Sequence, residues 1–237
     1  MIILDVGSGG ARVSRRILAE RAGWPLQTDA PGPVITNTLT RRHVDDIVNV
    51  TRIGERPHAR RAYYNSEATR ADRPGFVLHP LVDPAEHAAD GEGVGFAGGT
   101  ARHKNPKFAR AVMAQTWRDP ITPNPASPMS DFYRRLAWLI VPSLDEAYSR
   151  IIVEAAAHGV AVLASNIGGM AETGCATHLP FDVDQWVRVV NSEPDRESAL
   201  HAYQQNRERQ DAELAAFKEW IDARDAGTYH RRGEDHL

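Results

Sequence analysis

The hydrophobic pattern of residues 139–172 predicts one βαβ unit followed by a glycine turn. Two apolar runs, 139–141 and 160–164, lack polar alternation, which is typical of parallel strands covered on both faces. Between them Ser149 is placed to cap a helix that a glycine terminates. The turn 166–169 then leaves the carboxyl end of the second strand. Ligands bind at such strand ends in parallel sheets, so this unit is a candidate binding site.

Two carboxylates flank the predicted helix N-terminus: Glu146 in the loop before it and Glu154 within it. A helix N-terminus offers unpaired N–H groups and partial positive charge, which suit a phosphate or pyrophosphate. Carboxylates instead accept hydrogen bonds from hydroxyl groups. Together these features indicate a ligand with both phosphate and sugar, such as a nucleotide-sugar. The alternative is that Glu146 is a solvated loop acid and Glu154 an ordinary helix residue.

Two further strand-to-helix turns carry candidate phosphate contacts. Residues 2–6 read as a strand, and a glycine cluster containing Gly9 and Gly10 precedes a helix over about 11–22. That cluster either cradles phosphate or forms a plain tight turn, because the full spaced fingerprint is missing. Residues 94–98 read as another strand, after which a turn containing Arg102 and Lys104 leads into a helix.

The remaining elements follow from weaker signals. Thr40 is placed to cap a helix through Val48, and Ser130 to cap a helix over 131–137 that follows a proline-rich loop. The sequence Asp182-Val183-Asp184 has a form that holds divalent metals in other enzymes, yet its position before a helical pattern favours capping. Another helix is predicted from about Arg196 to Ala223, with its apolar stripe read as core.

Composition bounds the class of protein. The 237 residues carry a formal net charge of −3 and one cysteine, Cys175. The charge balance gives no whole-chain argument for nucleic acid or an anionic membrane. A single cysteine excludes an intrachain disulfide and favours a reducing compartment, so a cytoplasmic location is expected. The apolar opening is too short for a membrane span. The ten histidines show no ligand spacing, and neither metal nor cofactor is expected.

The pattern from Pro142 to Glu172, in which Glu146 and Glu154 are separated by seven residues and Gly-Gly-x-x-Glu follows, resembles family-four retaining GT-B glycosyltransferases. The resemblance implies an α/β fold of two Rossmann-like domains with parallel sheets, the N-terminal one abbreviated. Residues 1–75 would form the acceptor-side domain and 76–194 the donor-binding domain. Residues 195–223 would be a helix packing back on the first domain, and 224–237 a mobile tail.

The same resemblance assigns roles to residues. Glu146 would hold hydroxyl groups of the donor sugar and Glu154 those of the ribose, while Lys104 and Arg102 would neutralise the diphosphate. The family usually has Glu-Gly-Phe-Gly where this chain has Glu-Ala-Tyr-Ser from Glu146. The expected catalytic residues are Glu146, Lys104 and Arg102. The expected donor-binding residues are Glu154, Ala147, Tyr148, Ser149, Arg150, Gly98, Gly99, Gly9 and Gly10.

We therefore expect a metal-independent, retaining glycosyltransferase that uses a nucleotide-sugar as co-substrate. Its hydroxyl acceptor is a small molecule, a protein or a modified DNA base, and a homo-oligomer is compatible with the sequence. A different class remains open: a nucleotide-sugar-binding or scaffolding protein that has lost turnover, because the first domain is so short. A transfer or hydrolysis assay separates these alternatives.

Overall fold

The computed structural model describes residues 3–4, 9–27, 35–37, 47–50 and 61–225. These residues form an α/β structure with two parallel sheets, and the predicted fold class is confirmed. Among the described helices, none combines the length and apolar character that a transmembrane span requires.

The first sheet has the strand order β2-β1-β3-β4-β5-β6, and every pairing is parallel. Its strands are β1 Ile3–Leu4, β2 Leu26–Gln27, β3 Ile35–Asn37, β4 Ile47–Val50, β5 Arg61–Tyr64 and β6 Phe76–Val77, with helices α1 Gly9–Ala22 and α2 Glu67–Arg70. Because β6 pairs with β5, the strand at Phe76 extends the first sheet.

The second sheet has the order β11-β10-β9-β7-β8, again with parallel pairings throughout. Its strands are β7 Gly93–Gly95, β8 Pro120–Ile121, β9 Leu136–Val141, β10 Ala161–Ser165 and β11 Thr177–Leu179. The accompanying helices are α3 Pro106–Met113, α4 Met129–Arg134, α5 Arg150–Ala157 and α6 Val183–Val190, with 3₁₀ turns at Arg102–Lys104 and Ala171–Thr173.

The central βαβ unit has the organisation that its hydrophobic pattern predicts. All residues of β9 and β10 are buried, as expected for strands covered on both faces. Helix α5 buries Ile152 and Val153 against this sheet, and Gly159 follows with a φ of 74°. Glycine adopts this left-handed conformation without the penalty a side chain incurs, so the chain can reverse into β10.

Two predicted helices are wrong in part. The helix predicted through Val48 is contradicted, since Ile47–Val50 forms a strand whose β-branched residues suit a pleated sheet. Residues 40–46 lie outside the described part of the chain. The helix predicted for 131–137 is instead α4, which begins after Pro128 and ends at Arg134. Residues from Leu136 onward belong to β9, so Ser130 lies inside the helix and is not its cap.

Helix α7, Arg196–Asp225, contacts both sheets. Near its start Tyr203 belongs to the core of the second sheet. Further along, Leu214, Phe217 and Ile221 pack in a cluster with residues of the first sheet, including Ile3. One continuous helix therefore contributes to two hydrophobic cores. Of the tail predicted to be mobile, residues 224–225 belong to α7, and residues 226–237 lie outside the described part of the chain.

Candidate active site

Three loops converge at the carboxyl edge of the second sheet, because β7, β9 and β10 are neighbours and parallel. Backbone hydrogen bonds connect these loops. Leu144 N donates to His103 O at 2.7 Å, and Gly169 N donates to Glu146 O at 3.1 Å. The predicted turns are thus brought into a single surface, although they lie far apart in the sequence.

Lys104 and Glu146 form an ion pair on this surface, with Lys104 Nζ donating to Glu146 Oε2. The two side chains are 24% and 15% exposed, so both charges are half-buried but open to a ligand. Arg102 lies in the same 3₁₀ turn and is exposed. The structure therefore brings together all three residues predicted to be catalytic on adjacent loops of one edge.

Glu154, in helix α5, is held by two neighbours. Tyr133 Oη donates to Glu154 Oε2 at 2.7 Å, and Arg150 Nη2 lies 2.8 Å from Glu154 Oε1. Sequence reasoning placed Arg150 in the donor-binding set, whereas here its guanidinium binds the second glutamate. Tyr133 was missed, because no motif in the sequence marks it.

The loop between Glu146 and α5 tolerates the replacement of the family's glycines. Positive φ angles at non-glycine residues occur in the described chain only at Ala71 and Asn105, so neither Ala147 nor Ser149 has one. Ser149 occupies the N-cap position of α5, but its side chain makes no capping hydrogen bond, contrary to the prediction. Alanine and serine therefore replace the family's glycines here without adopting the left-handed backbone conformation that favours glycine.

Tyr148 fixes this loop to the protein core and to helix α7. Its side chain is buried, its ring centroid lies 5.1 Å from that of His79, and Asn206 Nδ2 of α7 donates to its hydroxyl at 3.1 Å. Burial raises the pKa of Tyr148 to about 12, so the hydroxyl stays protonated at neutral pH. The tyrosine that replaces the family's phenylalanine thus gains a partner on the C-terminal helix.

The glycines predicted to approach the donor have different surroundings. A Cβ at Gly98 would lie 2.7 Å from Lys104 Cβ, whereas one at Gly99 would meet nothing within 4 Å. Gly99 has a φ of 57°, which favours glycine. Gly9 and Gly10 are the first two residues of α1 rather than part of a loop before it, and residues 5–8 lie outside the described chain.

The carboxyl edges of the two sheets meet at Glu172, the last residue of the Gly-Gly-x-x-Glu pattern. Its carboxylate accepts from the backbone N–H groups of Glu67 (2.7 Å) and Ala68 (3.0 Å) at the start of α2. His79 Nε2 lies 2.9 Å from Glu172 Oε2, and His79 Nδ1 lies 2.8 Å from Glu213 Oε1 of α7. One histidine therefore connects two carboxylates from different parts of the chain.

The electrostatics of this junction are those of a charged network. Burial acts to lower the pKa of His79, but hydrogen bonds to Glu172 and Glu213 outweigh it and raise that pKa above 6.5. Burial acts to raise the pKa of Glu172, yet His79 and the backbone N–H groups lower it overall. Both shifts favour the charged forms, which hold the two sheets together.

Gly169 shows why the glycine turn is needed at this junction. A Cβ at this position would lie 1.9 Å from Ala147 O and 2.7 Å from Ser66 Cβ. Ser66 caps α2, accepting from Thr69 N at 3.0 Å. The Glu146 loop, the glycine turn and the end of the first sheet are therefore in direct contact.

The acidic pair before α6 is a helix cap. Asp182 Oδ1 accepts from Gln185 N at 3.1 Å, and Asp184 lies in the first turn of the helix. The capping prediction is confirmed. Within the part of the chain that the structure describes, no group of three or more His, Cys, Asp or Glu residues is arranged to hold a metal ion.

Comparison with known proteins identifies this architecture. Residues 95–191 match the family described as glycosyl transferases group 1. This match includes Lys104, Glu146 and Glu154. Residues 95–191 are thus similar to group 1 glycosyltransferases, which agrees with the resemblance inferred from residues 142–172.

Among curated proteins, the chain is 38% identical over 65 residues to protein CapJ of Staphylococcus aureus. The aligned segment is 27% of this chain and 17% of that relative, so the chain spans a small part of its length. The match supports similarity over the aligned segment, and nothing about the function of this chain follows from the rest of that relative.

Solved structures establish the fold of the remainder. Sucrose-phosphate synthase of Thermosynechococcus elongatus has a TM-score of 0.66 at 14% identity, covering 92% of this chain and 78% of that one. AviGT4, a glycosyltransferase of avilamycin A biosynthesis, has a TM-score of 0.66 at 17% identity, covering 94% and 92%. HepE of Anabaena, solved with UDP-glucose, has a TM-score of 0.61 at 13% identity, covering 94% and 78%. The described chain therefore has the GT-B glycosyltransferase fold.

Proposed function

We propose that this chain transfers a sugar from a nucleotide-sugar donor to a hydroxyl acceptor, with retention and without a metal ion. The observation that carries the proposal is the Lys104–Glu146 pair at the carboxyl edge of the second sheet, with Glu154 in the helix that follows the Glu146 loop. A cation for phosphate, an acid for sugar hydroxyls and an acid for ribose hydroxyls are the three contacts such a donor needs. Because the match covers residues 95–191, the activity of the whole chain is our proposal.

Charge development explains the need for Lys104. When the bond between the anomeric carbon and the diphosphate breaks, the leaving diphosphate gains negative charge. Lys104 is half-buried, and Arg102 lies two residues before it, so both cations can stabilise that charge. The backbone N–H groups at the start of α5 add partial positive charge on the opposite side.

The proposed reaction requires no protein nucleophile. The acceptor oxygen attacks the anomeric carbon from the face that the diphosphate leaves, forming the new C–O bond while the old one breaks. The acceptor proton passes to a phosphate oxygen of the leaving group. Glu146 orients the sugar through its hydroxyl groups, and Lys104 holds that carboxylate in place until the donor arrives.

The choice of donor is supported by the complexes of similar structures. HepE was solved with UDP, with UDP and glucose, and with UDP-glucose. We therefore propose UDP-sugars as the first donors to test. The acceptor class stays open between small molecules, proteins and modified DNA bases, as does the oligomeric state.

The test is a transfer assay with a panel of UDP-, ADP-, GDP- and TDP-sugars and acceptors of all three classes, in the presence of excess chelator. We expect release of a nucleoside diphosphate and a product that NMR shows to keep the anomeric configuration of the donor. An inverted product would refute retention. Complete loss in chelator with recovery on adding manganese would refute metal independence.

A second function is a nucleotide-sugar-binding protein without turnover, and one observation favours it. Glu146 is already engaged by Lys104, and a carboxylate that keeps this partner is less available to a sugar. The two proposals give different results in the same assay. A catalyst releases diphosphate repeatedly, whereas a binding protein shows donor affinity by calorimetry and no product with any acceptor.

A further inference from the structure

We propose that Tyr133 is a positioning residue of the donor site, which fixes the Glu154 carboxylate in the orientation that recognises a vicinal diol. The inference rests on the proposed function, in which Glu154 contacts the ribose. It adds a residue from α4, an element that the sequence pattern did not connect with the site. The supporting observations are the two contacts to Glu154 and the packing of the Tyr133 ring.

The carboxylate of Glu154 is held at both oxygens. Tyr133 Oη donates to Oε2 at 2.7 Å and Arg150 Nη2 lies 2.8 Å from Oε1. An exposed glutamate on a helix ordinarily samples several rotamers, and a glutamate with both oxygens bound loses that freedom before ligand binds. The side chain remains 22% exposed, so a ligand can reach it.

The ring of Tyr133 is fixed independently of Glu154. Tyr133 is 1% exposed and packs in the core of the second sheet. Its centroid lies 5.0 Å from that of His158 and 5.4 Å from that of Phe132. His158 in turn lies 2.8 Å, through Nδ1, from the backbone O of Glu154. The hydroxyl group is therefore presented from a rigid position, as a preorganised site requires.

The hydroxyl of Tyr133 acts as a donor throughout the neutral range. Burial, followed by the charge and hydrogen bond of Glu154, raises the pKa of Tyr133 well above its ordinary 10. The proton stays on Oη, and Glu154 stays an acceptor on that side. The direction of this hydrogen bond is consequently fixed.

This arrangement selects for a diol. A carboxylate offers about four lone-pair positions, and Tyr133 and Arg150 occupy one on each oxygen. The two remaining lone-pair positions, one on each oxygen, match a pair of adjacent hydroxyl donors. The 2′ and 3′ hydroxyls of a ribose supply that pair, and a 2′-deoxyribose supplies half of it. The site should therefore prefer ribonucleotides over 2′-deoxyribonucleotides, and Tyr133 should sharpen the preference.

The experiment compares Tyr133→Phe with the wild type by calorimetry. The probes are the tightest binder among UDP, ADP and GDP, and its 2′-deoxy form. We expect the variant to bind the ribonucleotide about three- to tenfold more weakly, while binding of the 2′-deoxy form changes less. The dissociation constant of the 2′-deoxy form divided by that of the ribonucleotide should therefore fall by at least about threefold. The matched control is Tyr203→Phe, which removes a hydroxyl of the same core that donates to Val82 O at 3.3 Å rather than to Glu154.

A double-mutant cycle separates positioning from general damage. If Tyr133 acts through Glu154, Tyr133→Phe should have no further effect on the ratio in a Glu154→Ala background. Should the Tyr133→Phe protein not fold, Arg150→Met removes the other contact to Glu154 and should lower the ratio likewise.

The outcomes distinguish the two proposals. If the wild type binds none of the diphosphates, or if Glu154→Ala changes nothing, the proposed donor site is wrong. If the wild type binds and Glu154→Ala weakens binding, but Tyr133→Phe leaves the ratio unchanged or matches Tyr203→Phe, only the positioning role is overturned.

Discussion

The Lys104–Glu146 pair makes opposite predictions for its two members. Lys104→Met leaves the Glu146 carboxylate without its partner, close to where the diphosphate should bind. Glu146→Gln leaves the Lys104 charge fully available to the phosphates. Affinity for a free nucleoside diphosphate should therefore fall in the first variant and stay the same or rise in the second. Sugar transfer should fall in both, because each contributes to the transition state.

The expected magnitude follows from the exposure of the pair. Two unit charges about 4 Å apart interact by about 1 kcal/mol in water and about 4 kcal/mol at a partly buried protein site. With a side chain that is 24% exposed, Lys104 lies between these limits, and about 2 kcal/mol is a reasonable expectation. That corresponds to about a 30-fold weaker diphosphate affinity for Lys104→Met.

The assay is titration calorimetry with the same nucleoside diphosphate at low and high salt. The Lys104→Met effect should shrink at high salt, because the residue is accessible to screening ions. Arg188→Met, at an exposed position on α6, controls for the loss of one positive charge. Equal weakening by Glu146→Gln and Lys104→Met, or no change in either, would refute the reasoning.

Three further predictions concern the junction between the sheets, the glycine turn and Glu154. Because the folded pKa of His79 is raised above 6.5, its contribution to stability is complete below that value and is lost as pH rises through the folded pKa. Glu172 has a lowered pKa, so its contribution is present above 4.5 and is lost as pH falls through the folded value. His79→Gln should therefore lower the free energy of unfolding more at pH 5.5 than at pH 8.5, measured by urea titration; an equal effect at both would contradict this. Gly169→Ala places a Cβ 1.9 Å from Ala147 O and should cost about 1–3 kcal/mol of stability while lowering turnover, and wild-type values for both would disprove the close contact. Glu154→Ala should weaken free diphosphate about tenfold or more, since hydrogen bonds to a charged group are worth about 1.5–3 kcal/mol, and unchanged calorimetric affinity would remove the ribose assignment.

Local patterns in the sequence determined a large part of this protein. The βαβ unit with Glu146 and Glu154 could be predicted because uninterrupted apolar runs identify buried parallel strands. Asp182 could be recognised as a cap because capping depends on residues only three positions apart. The topological rule for parallel sheets then placed the turns at one edge before their contacts were known.

Other elements were decided by tertiary context. Ile47 and Val48 were read as the end of a helix, and they lie in the strand Ile47–Val50 because its neighbours β3 and β5 supply hydrogen bonds that short-range spacing does not reveal. The helix after Pro128 was predicted with the wrong boundaries, because the residues from Leu136 onward form β9 and pair with β7 and β10. Pairing between distant strands overrides weak local preferences.

The candidate active site likewise combines residues that sequence patterns identify with contacts that only tertiary packing creates. The sequence supplied Glu146 and Lys104 as separate candidates, and their ion pair exists only because the loops after β7 and β9 meet across 42 positions of chain. Tyr133 and His79 had no motif to mark them. Their roles come from what folding places beside them: Glu154 for the tyrosine, and two carboxylates from distant segments for the histidine. Spacing along the chain encodes secondary structure and caps, whereas contacts between segments that are remote in sequence arise only when the sheets and α7 pack together.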